Sequence, residues 1–206
     1  MKSCQWKKQR KIKLHRLFIV IYKKNKMKKS FLLLAILISS FTFIANSQST
    51  LNETVKAQLL KDFERAKAYT IEYLDAMPAD KYGFKAQDSV RSFAWQMLHL
   101  AQGSIGLSSN GTGKERIWAG QNLEARASAQ SADSVKYFVT ASYDFVIDGI
   151  KNMDASKLEE KIKRGNFDET RLAWLLKAFE HQSHHRGQTT IYIRLLGLKP
   201  PNEKLF

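Results

Sequence analysis

The chain has 206 residues, enough for one domain or two very small ones, and a formal charge of +15 at pH 7. Twelve of its Lys and Arg residues, and none of its acidic ones, lie in residues 1–29, so the remainder carries 22 basic and 19 acidic residues, or +3. That nearly neutral body excludes the electrostatic footprint of a nucleic-acid-binding protein. The only cysteine is Cys4, which excludes a disulfide, a thiolate nucleophile and a cysteine-type zinc site from the rest of the chain.

Residues 27–47 have the pattern of a secretory signal peptide. Met27 is followed by two lysines, an apolar run covers residues 31–45, and small residues stand at Ala45 and Ser47. The run is short for a membrane span, which needs about 20 apolar residues. We therefore predict cleavage after Ser47 and export of the protein, either to a periplasm or out of the cell. A retained membrane anchor is the alternative.

Residues 1–26 precede this signal, although a signal peptide should stand near the start of a chain. We interpret them as a mis-assigned start, with translation beginning at Met27. The alternative is a genuine basic extension that lies on a membrane or on nucleic acid. In both cases residues 48–206 are the folded domain. Under the favoured interpretation the membrane is engaged only through the signal segment, and no nucleic acid is bound.

The first half of that domain predicts two helices. Thr50 and Glu53 form a capping box that would start the first helix. Apolar residues at 3–4 spacing follow it, and Pro78 closes the segment. Ser92 begins a second helix, which continues through apolar residues to Ile105. The composition of residues 108–113, Ser-Ser-Asn-Gly-Thr-Gly, predicts a loop.

The second half predicts two more helices. One runs from about Ser131 to Met153, and Gly165 with Asn166 then breaks the chain. The other starts near Asp168 and reaches about Leu196, where a glycine and two prolines follow. No segment shows sustained period-2 alternation, so residues 48–206 are predicted to be wholly helical. The fold class is all-α, a four-helix bundle, and the long 108–130 connection favours a crossover topology.

The sharpest chemical feature is a cluster of three of the chain's five histidines, His181, His184 and His185. On an ideal helix His185 lies about 40° from His181 and about 6 Å along the axis, and His184 about 60° to the other side. Geometry alone therefore cannot choose between the 181/185 and 181/184 pairs. The alternative is a set of solvated surface histidines. His99, the remaining histidine of the domain, would by itself be a hydrogen-bonded structural residue.

The helical wheel adds a difficulty. Leu172, Leu176 and Phe179 form one apolar stripe, and His181 projects roughly opposite to it. The histidines would then face a groove, or the helix would bend. Known helical metal motifs do not fit either, because Glu180 precedes His181 instead of following it, and the Glu-x-x-His pairs of di-iron bundles are absent.

Three segments together resemble the DinB family of helical metalloenzymes. They are the C-terminal run from His181 to Pro201 with its His-His-Arg-Gly-Gln core, the segment Ser92–Leu100 around His99, and the loop Met77–Lys85. The resemblance covers most of residues 50–201. It implies a four-helix bundle that holds a divalent metal ion, often zinc or nickel, through three histidines, which carry over to this chain as His99, His181 and His185.

The same resemblance makes His184 a neighbour of the site. It gives Arg186 and Gln188 supporting roles; Arg186 would pair with an anionic substrate or a carboxylate, or else fix helix packing.

The function implied is a metal-dependent hydrolase acting on an unidentified small molecule. A transferase that uses low-molecular-weight thiols is less favoured, because export removes the protein from the cytoplasm where such thiols are abundant. No catalytic residue beyond the ligands is assigned, since Glu180 points about 100° away from His181. A non-catalytic metal-binding or dimerisation module is the alternative, and a homodimer is left open.

Overall fold

The computed structural model describes residues 48–206. The predicted basic extension (1–26) and signal peptide (27–47), with its cleavage position after Ser47, lie outside these residues. Leu51–Phe206 form one compact unit. None of the helices in the described part combines the length and the apolar character that crossing a membrane requires.

Four helices and one small hairpin make up the described fold, and this confirms the predicted four-helix bundle. The helices are α1 (residues 48–76), α2 (Phe93–Thr112), α3 (Ala132–Asn152) and α4 (Arg171–Leu195), and the antiparallel strands are β1 (Lys161–Arg164) and β2 (Phe167–Thr170). Short 3-10 turns occupy Ala79–Lys81, Ala127–Ala129 and Ala155–Lys157.

Three helices begin at the hydroxyl caps that their sequences provide. The side chains of Ser92, Ser131 and Thr170 accept hydrogen bonds from backbone N–H groups three residues on, which satisfies donors that the first turn leaves free. The predicted starts of α2 and α3 are therefore confirmed. The predicted start of α1 at a capping box is wrong, because residues 48–50 are already helical and Thr50 lies inside the helix.

The hairpin corrects the prediction that the domain is wholly helical. Lys161 pairs with Thr170, and Gly165, at φ +59°, lies in the turn that the sequence marked as a break. Asp168 belongs to β2, so α4 starts at Arg171 and not near Asp168. Two four-residue strands, mostly exposed, are too short to show a period-2 pattern.

The predicted loop at residues 108–113 is instead the last turn of α2. Helix α2 continues to Thr112, and Gly113 caps it in the left-handed region at φ +79°. The hydroxyls of Ser108, Ser109 and Thr112 donate to carbonyls three or four residues back, and residues 108–111 are buried. Small polar residues are favoured here because they let a neighbouring helix approach. Composition alone does not reveal that residues 108–111 are buried by this approach.

Cross-helix contacts fix the directions of the helices. Helices α1 and α3 are antiparallel, since Lys56 reaches Met153 near one end and Lys136 pairs with Asp75 near the other. Helices α1 and α4 are parallel, because Phe63 packs edge-on against Phe179, and further along Tyr73 bonds to Thr190.

Helices α2 and α4 are antiparallel. His99 lies against His185, and Gly111, near the other end of α2, lies against Leu175. It follows that α2 and α3 run parallel, so the connection between them has to return along the length of the bundle. The predicted crossover topology is confirmed, and residues 113–131 form the crossover.

Candidate metal centre

Three imidazole rings from α2 and α4 meet at the interface of these antiparallel helices. The ring centroid of His99 lies 5.2 Å from that of His181 and 4.5 Å from that of His185, and the last two are 4.4 Å apart. One ring nitrogen from each residue can be chosen so that the three atoms all lie within 4.8 Å of one another. The structure therefore brings together the three residues that the family resemblance selected.

A glycine makes room for one of these rings. Gly103 lies one turn after His99 on α2, and a Cβ added there would lie 1.9 Å from Nε2 of His181. The same Nε2 lies 3.4 Å from the backbone oxygen of His99. The His181 ring thus rests directly on the backbone of α2, where only a residue without a side chain leaves space.

The histidine face of α4 is the buried face, contrary to the helical-wheel interpretation. Leu176, part of the predicted apolar stripe, is 52% exposed, whereas Trp174, Ala178 and His185 are buried. The helical-wheel interpretation is wrong because the buried face of α4 also carries polar residues, which make this face look exposed in a hydrophobicity pattern. These residues are Gln182, His185, Arg186 and Thr189.

A carboxylate that the sequence did not single out orients His99. Oε1 of Glu124 lies 2.6 Å from Nδ1 of His99, and a carboxylate only accepts, so Nδ1 carries a proton; in the neutral ring the free lone pair is then on Nε2. Nε of Arg91 donates to the other carboxylate oxygen at 3.2 Å. Carboxylates commonly fix metal-binding imidazoles in this way. Glu124 lies in the crossover, where no helical register could have pointed to it.

The rings of His181 and His185 are held in the neutral form that metal binding requires. Burial, reinforced by the neighbouring imidazoles, lowers the pKa of His185 to about 3, and burial also lowers the pKa of His181. Nδ1 of His185 is buried without a hydrogen-bond partner among the described residues. Clustered neutral imidazoles that include an unsatisfied buried nitrogen fit a divalent cation.

His184 stands apart from the cluster, so the structure resolves the choice that helix geometry left open. Its side chain is exposed, and its Nε2 accepts a hydrogen bond from Nε2 of Gln188 at 3.0 Å. It is not among the three histidines whose nitrogens converge. Gln188 therefore supports His184, and its side chain also hydrogen-bonds to His185, one of the three clustered residues.

Arg186 fixes helix packing. It is buried, and its Nη1 donates to Oε1 of Gln182 at 2.8 Å and to Oγ1 of Thr70 at 3.3 Å. The guanidinium also lies 4.5 Å from the ring centre of Tyr69. These contacts join α4 to α1, so of the two roles weighed for Arg186, packing is the one that its contacts support.

A cleft of about 680 Å³ is lined by neighbours of the histidines in the chain, although none of the three clustered histidines lines it. Its walls include Trp95, one turn before His99, and Gln188, about one turn after His185. Arg91, which bonds to Glu124, also lines it. The cleft offers room for a small molecule, and Trp95, Arg91 and Gln188 connect it to the residues around the cluster.

A four-helix bundle with three converging histidines defines a class of helical proteins with a candidate metal centre. Within it, the sequence profile of the DinB family matches residues 47–205, and the chain belongs to the DinB family. No curated protein matched the chain.

Solved structures share the fold at low identity. A DinB-like protein from Bacillus cereus has a TM-score of 0.61 at 18% identity, covering 71% of this chain and 95% of its own. The DinB-like protein YjoA from Bacillus subtilis has a TM-score of 0.54 at 16% identity, covering 72% and 96%. A conserved protein from Enterococcus faecalis has a TM-score of 0.56 at 18% identity, covering 68% and 96%. These likenesses concern the fold alone.

Proposed function

We propose that this protein is an exported metal-dependent hydrolase, whose divalent ion, zinc or nickel, is held by His99, His181 and His185. The observation that carries the proposal is the convergence of three imidazoles, from His99, His181 and His185, whose ring nitrogens lie within 4.8 Å of one another. Export rests on the signal-peptide pattern of residues 27–47.

The number of ligands supports a catalytic role over a structural one. No fourth His, Cys, Asp or Glu joins the three histidines in the part of the chain that the structure describes. Structural zinc sites use four protein ligands, whereas catalytic sites keep one position for water or substrate. A divalent ion held by His99, His181 and His185 would supply Lewis-acid chemistry, by which a carbonyl is polarised or the pKa of water is lowered.

The protein's own residues would orient and shield this site. Glu124 keeps the proton of His99 on Nδ1, so that Nε2 is presented for binding. Trp95, which is 38% exposed, offers an aromatic surface to a substrate that enters the cleft. Glu124 is engaged by His99 and Arg91, so it acts as a positioning residue.

Metal analysis of the purified protein tests the ligand assignment. Wild-type protein loaded with zinc or nickel and freed of excess ion should retain one equivalent. His99→Ala and His185→Ala should each retain none, since two imidazoles bind too weakly to survive the wash. Unchanged metal content in either variant would contradict the site, provided circular dichroism shows that the variants are folded.

Hydrolysis assays test the reaction class. The loaded protein should cleave activated esters or thioesters, and chelation or His99→Ala should abolish cleavage while the helical signal remains. If metal removal instead melts the fold and no substrate is cleaved, the ion is structural. Thiol-dependent transfer to an electrophile, measured in parallel with a low-molecular-weight thiol, separates the transferase alternative.

A further inference from the structure

A second cavity, of about 410 Å³, lies at the far end of the α2–α4 interface. It is formed by the last turn of α2, the start of the crossover, β1 and the first residue of α4. Asn110 is eleven residues beyond His99 on α2, on the order of 16 Å along the helix axis. Four cationic side chains line this cavity, namely Lys114, Arg116, Arg164 and Arg171.

Three guanidinium groups converge on one buried residue. Nε of Arg164 and Nη2 of Arg116 both donate to Oδ1 of Asn110, at 3.1 Å and 3.4 Å. Nη1 of Arg171 donates to the backbone oxygens of Asn110 and Gly111, at 3.5 Å and 3.3 Å. Asn110 is only 6% exposed, so its position is fixed, and it holds the arginines close together.

Two of these cations lack a countercharge. Lys114 pairs with Asp148 and Arg171 with Glu160. Arg116 and Arg164 form no ion pair with any carboxylate of the described residues. Their hydrogen-bond acceptors are all neutral; they are Oγ of Ser109, the backbone oxygen of Gly106 and Oδ1 of Asn110.

Neutral acceptors orient guanidinium groups without cancelling their charge. The last carbonyls of α2 carry only the partial negative charge of a helix terminus, and the cavity has one lining carboxylate, that of Glu115, which is exposed and forms no ion pair with any described residue. The guanidinium groups of Arg116 and Arg164, held on the same oxygen of Asn110, repel each other, and an anion bound between them would offset this repulsion. Forked N–H groups match the oxygens of phosphate, which they bind in pairs.

We propose that this cavity binds a phosphate-type oxyanion, either free phosphate or a phosphate monoester, between Arg116 and Arg164. The proposal does not depend on the metal centre, because none of the three clustered histidines lines the cavity. A negative result for the metal centre therefore does not count against the proposed phosphate site, and the reverse also holds.

Calorimetric titration of the purified protein with inorganic phosphate at constant ionic strength tests the site. Wild-type protein should bind one equivalent, and Arg116→Gln and Arg164→Gln should each weaken binding at least tenfold. Lys163→Gln is the matched control, because Lys163 lies on the same strand but does not line the cavity. The absence of phosphate binding, or equal weakening in the control, would overturn the proposal.

An internal carboxylate provides a second, independent test. Asn110→Asp would place a negative charge where two guanidinium groups already donate. This variant should melt at a higher temperature than wild type in phosphate-free buffer and should lose phosphate binding. Phosphate binding as tight as that of wild type in Asn110→Asp would overturn the proposal even if an arginine variant failed to fold.

Competition identifies the class of anion. Glycerol phosphate that displaces inorganic phosphate with higher affinity would assign the site to a phosphate monoester, and weaker displacement would assign it to free phosphate. Acetate, with a single carboxylate, should compete at least tenfold less well than either. Acetate binding as tight as that of phosphate would overturn the assignment to phosphate chemistry.

Discussion

The two ends of the α2–α4 interface carry opposite chemistry on the same helix pair. At one end three imidazoles meet, and burial keeps His181 and His185 neutral. At the other end Arg116 and Arg164 meet on Asn110, and neither forms an ion pair with a carboxylate of the described residues. Neutral imidazole nitrogens are suited to bind a cation, whereas guanidinium groups without an ion-pair partner are suited to bind an anion.

Each end also depends on a glycine of α2, but the two glycines admit different neighbours. A Cβ at Gly103 would meet the ring of His181, and a Cβ at Gly111 would meet Leu175 and the backbone oxygen of Arg171. Close approach of the two helices therefore positions the ring of His181, a candidate metal ligand, at one end and the packing side chain of Leu175 at the other. Substituting each glycine in turn should therefore separate an effect on metal affinity from an effect on the free energy of unfolding.

The largest effect is expected for Gly103→Ala. The new methyl would lie 1.9 Å from Nε2 of His181, so the imidazole must rotate out of the cluster. We expect divalent metal affinity, measured by titration against a chelator, to fall by about 100-fold or more, because one of three ligands is displaced.

Gly106→Ala is the matched control for this variant. Its Cβ would meet only the guanidinium of Arg116, at 3.9 Å, which is an ordinary contact. It should bind metal as wild type does. Equal metal affinity in Gly103→Ala and Gly106→Ala would show that His181 is not a ligand.

Gly111→Ala should affect stability and leave the metal bound. Its Cβ would lie 2.6 Å from Cγ of Leu175 and 3.0 Å from the Arg171 carbonyl oxygen, and a backbone atom cannot rotate away. Overpacking of this kind lowers the free energy of unfolding by about 1–3 kcal/mol. Urea denaturation measures that loss, and metal content should stay at one equivalent. If Gly111→Ala lost the metal and kept the stability of wild type, the assignment of metal binding to the Gly103 end and of packing to the Gly111 end would be wrong.

A smaller effect is expected for Glu124→Gln. The amide oxygen can still accept the Nδ1 proton of His99, but the charge that strengthens this bond is lost. Removing such a partner lowers metal affinity about 10-fold or more. Glu115→Gln removes a carboxylate from the same crossover that touches no imidazole, and it should leave metal affinity unchanged. Equal metal affinities in Glu124→Gln and Glu115→Gln would show that Glu124 does not support metal binding.

The fold could be predicted where local signals and burial agree. Ser92 and Ser131 start α2 and α3 as hydroxyl caps, and both helices follow apolar periodicity. Prediction failed where tertiary packing overrides composition, as in the turn that extends α2 to Thr112, whose residues 108–111 are buried. It also failed for the hairpin, whose strands are too short and too exposed to show a period.

The candidate metal centre was predictable only in part. Helix geometry kept His181 with either His184 or His185, and only the family resemblance paired His181 with His185 and added His99. Glu124 could not be found, since its contact with His99 depends on how the irregular crossover folds back onto α2. The arginine cavity was missed because Arg116, Arg164 and Arg171 come from three separate segments.

The smallest effect, and the one that tests the choice between neighbouring histidines, is expected for His184→Ala. Its ring packs at 4.9 Å from that of His185, close enough for the two to be confused by sequence spacing. Its exposed side chain, however, bonds to Gln188 and lies outside the cluster. Truncating it removes no ligand, so metal affinity should match wild type within about twofold, whereas His185→Ala should lose the ion. A large loss in His184→Ala would mean that the ion recruits His184 through a distorted helix and that four protein ligands close the site. The centre would then have the composition of a structural site, which holds metal without an open position for chemistry.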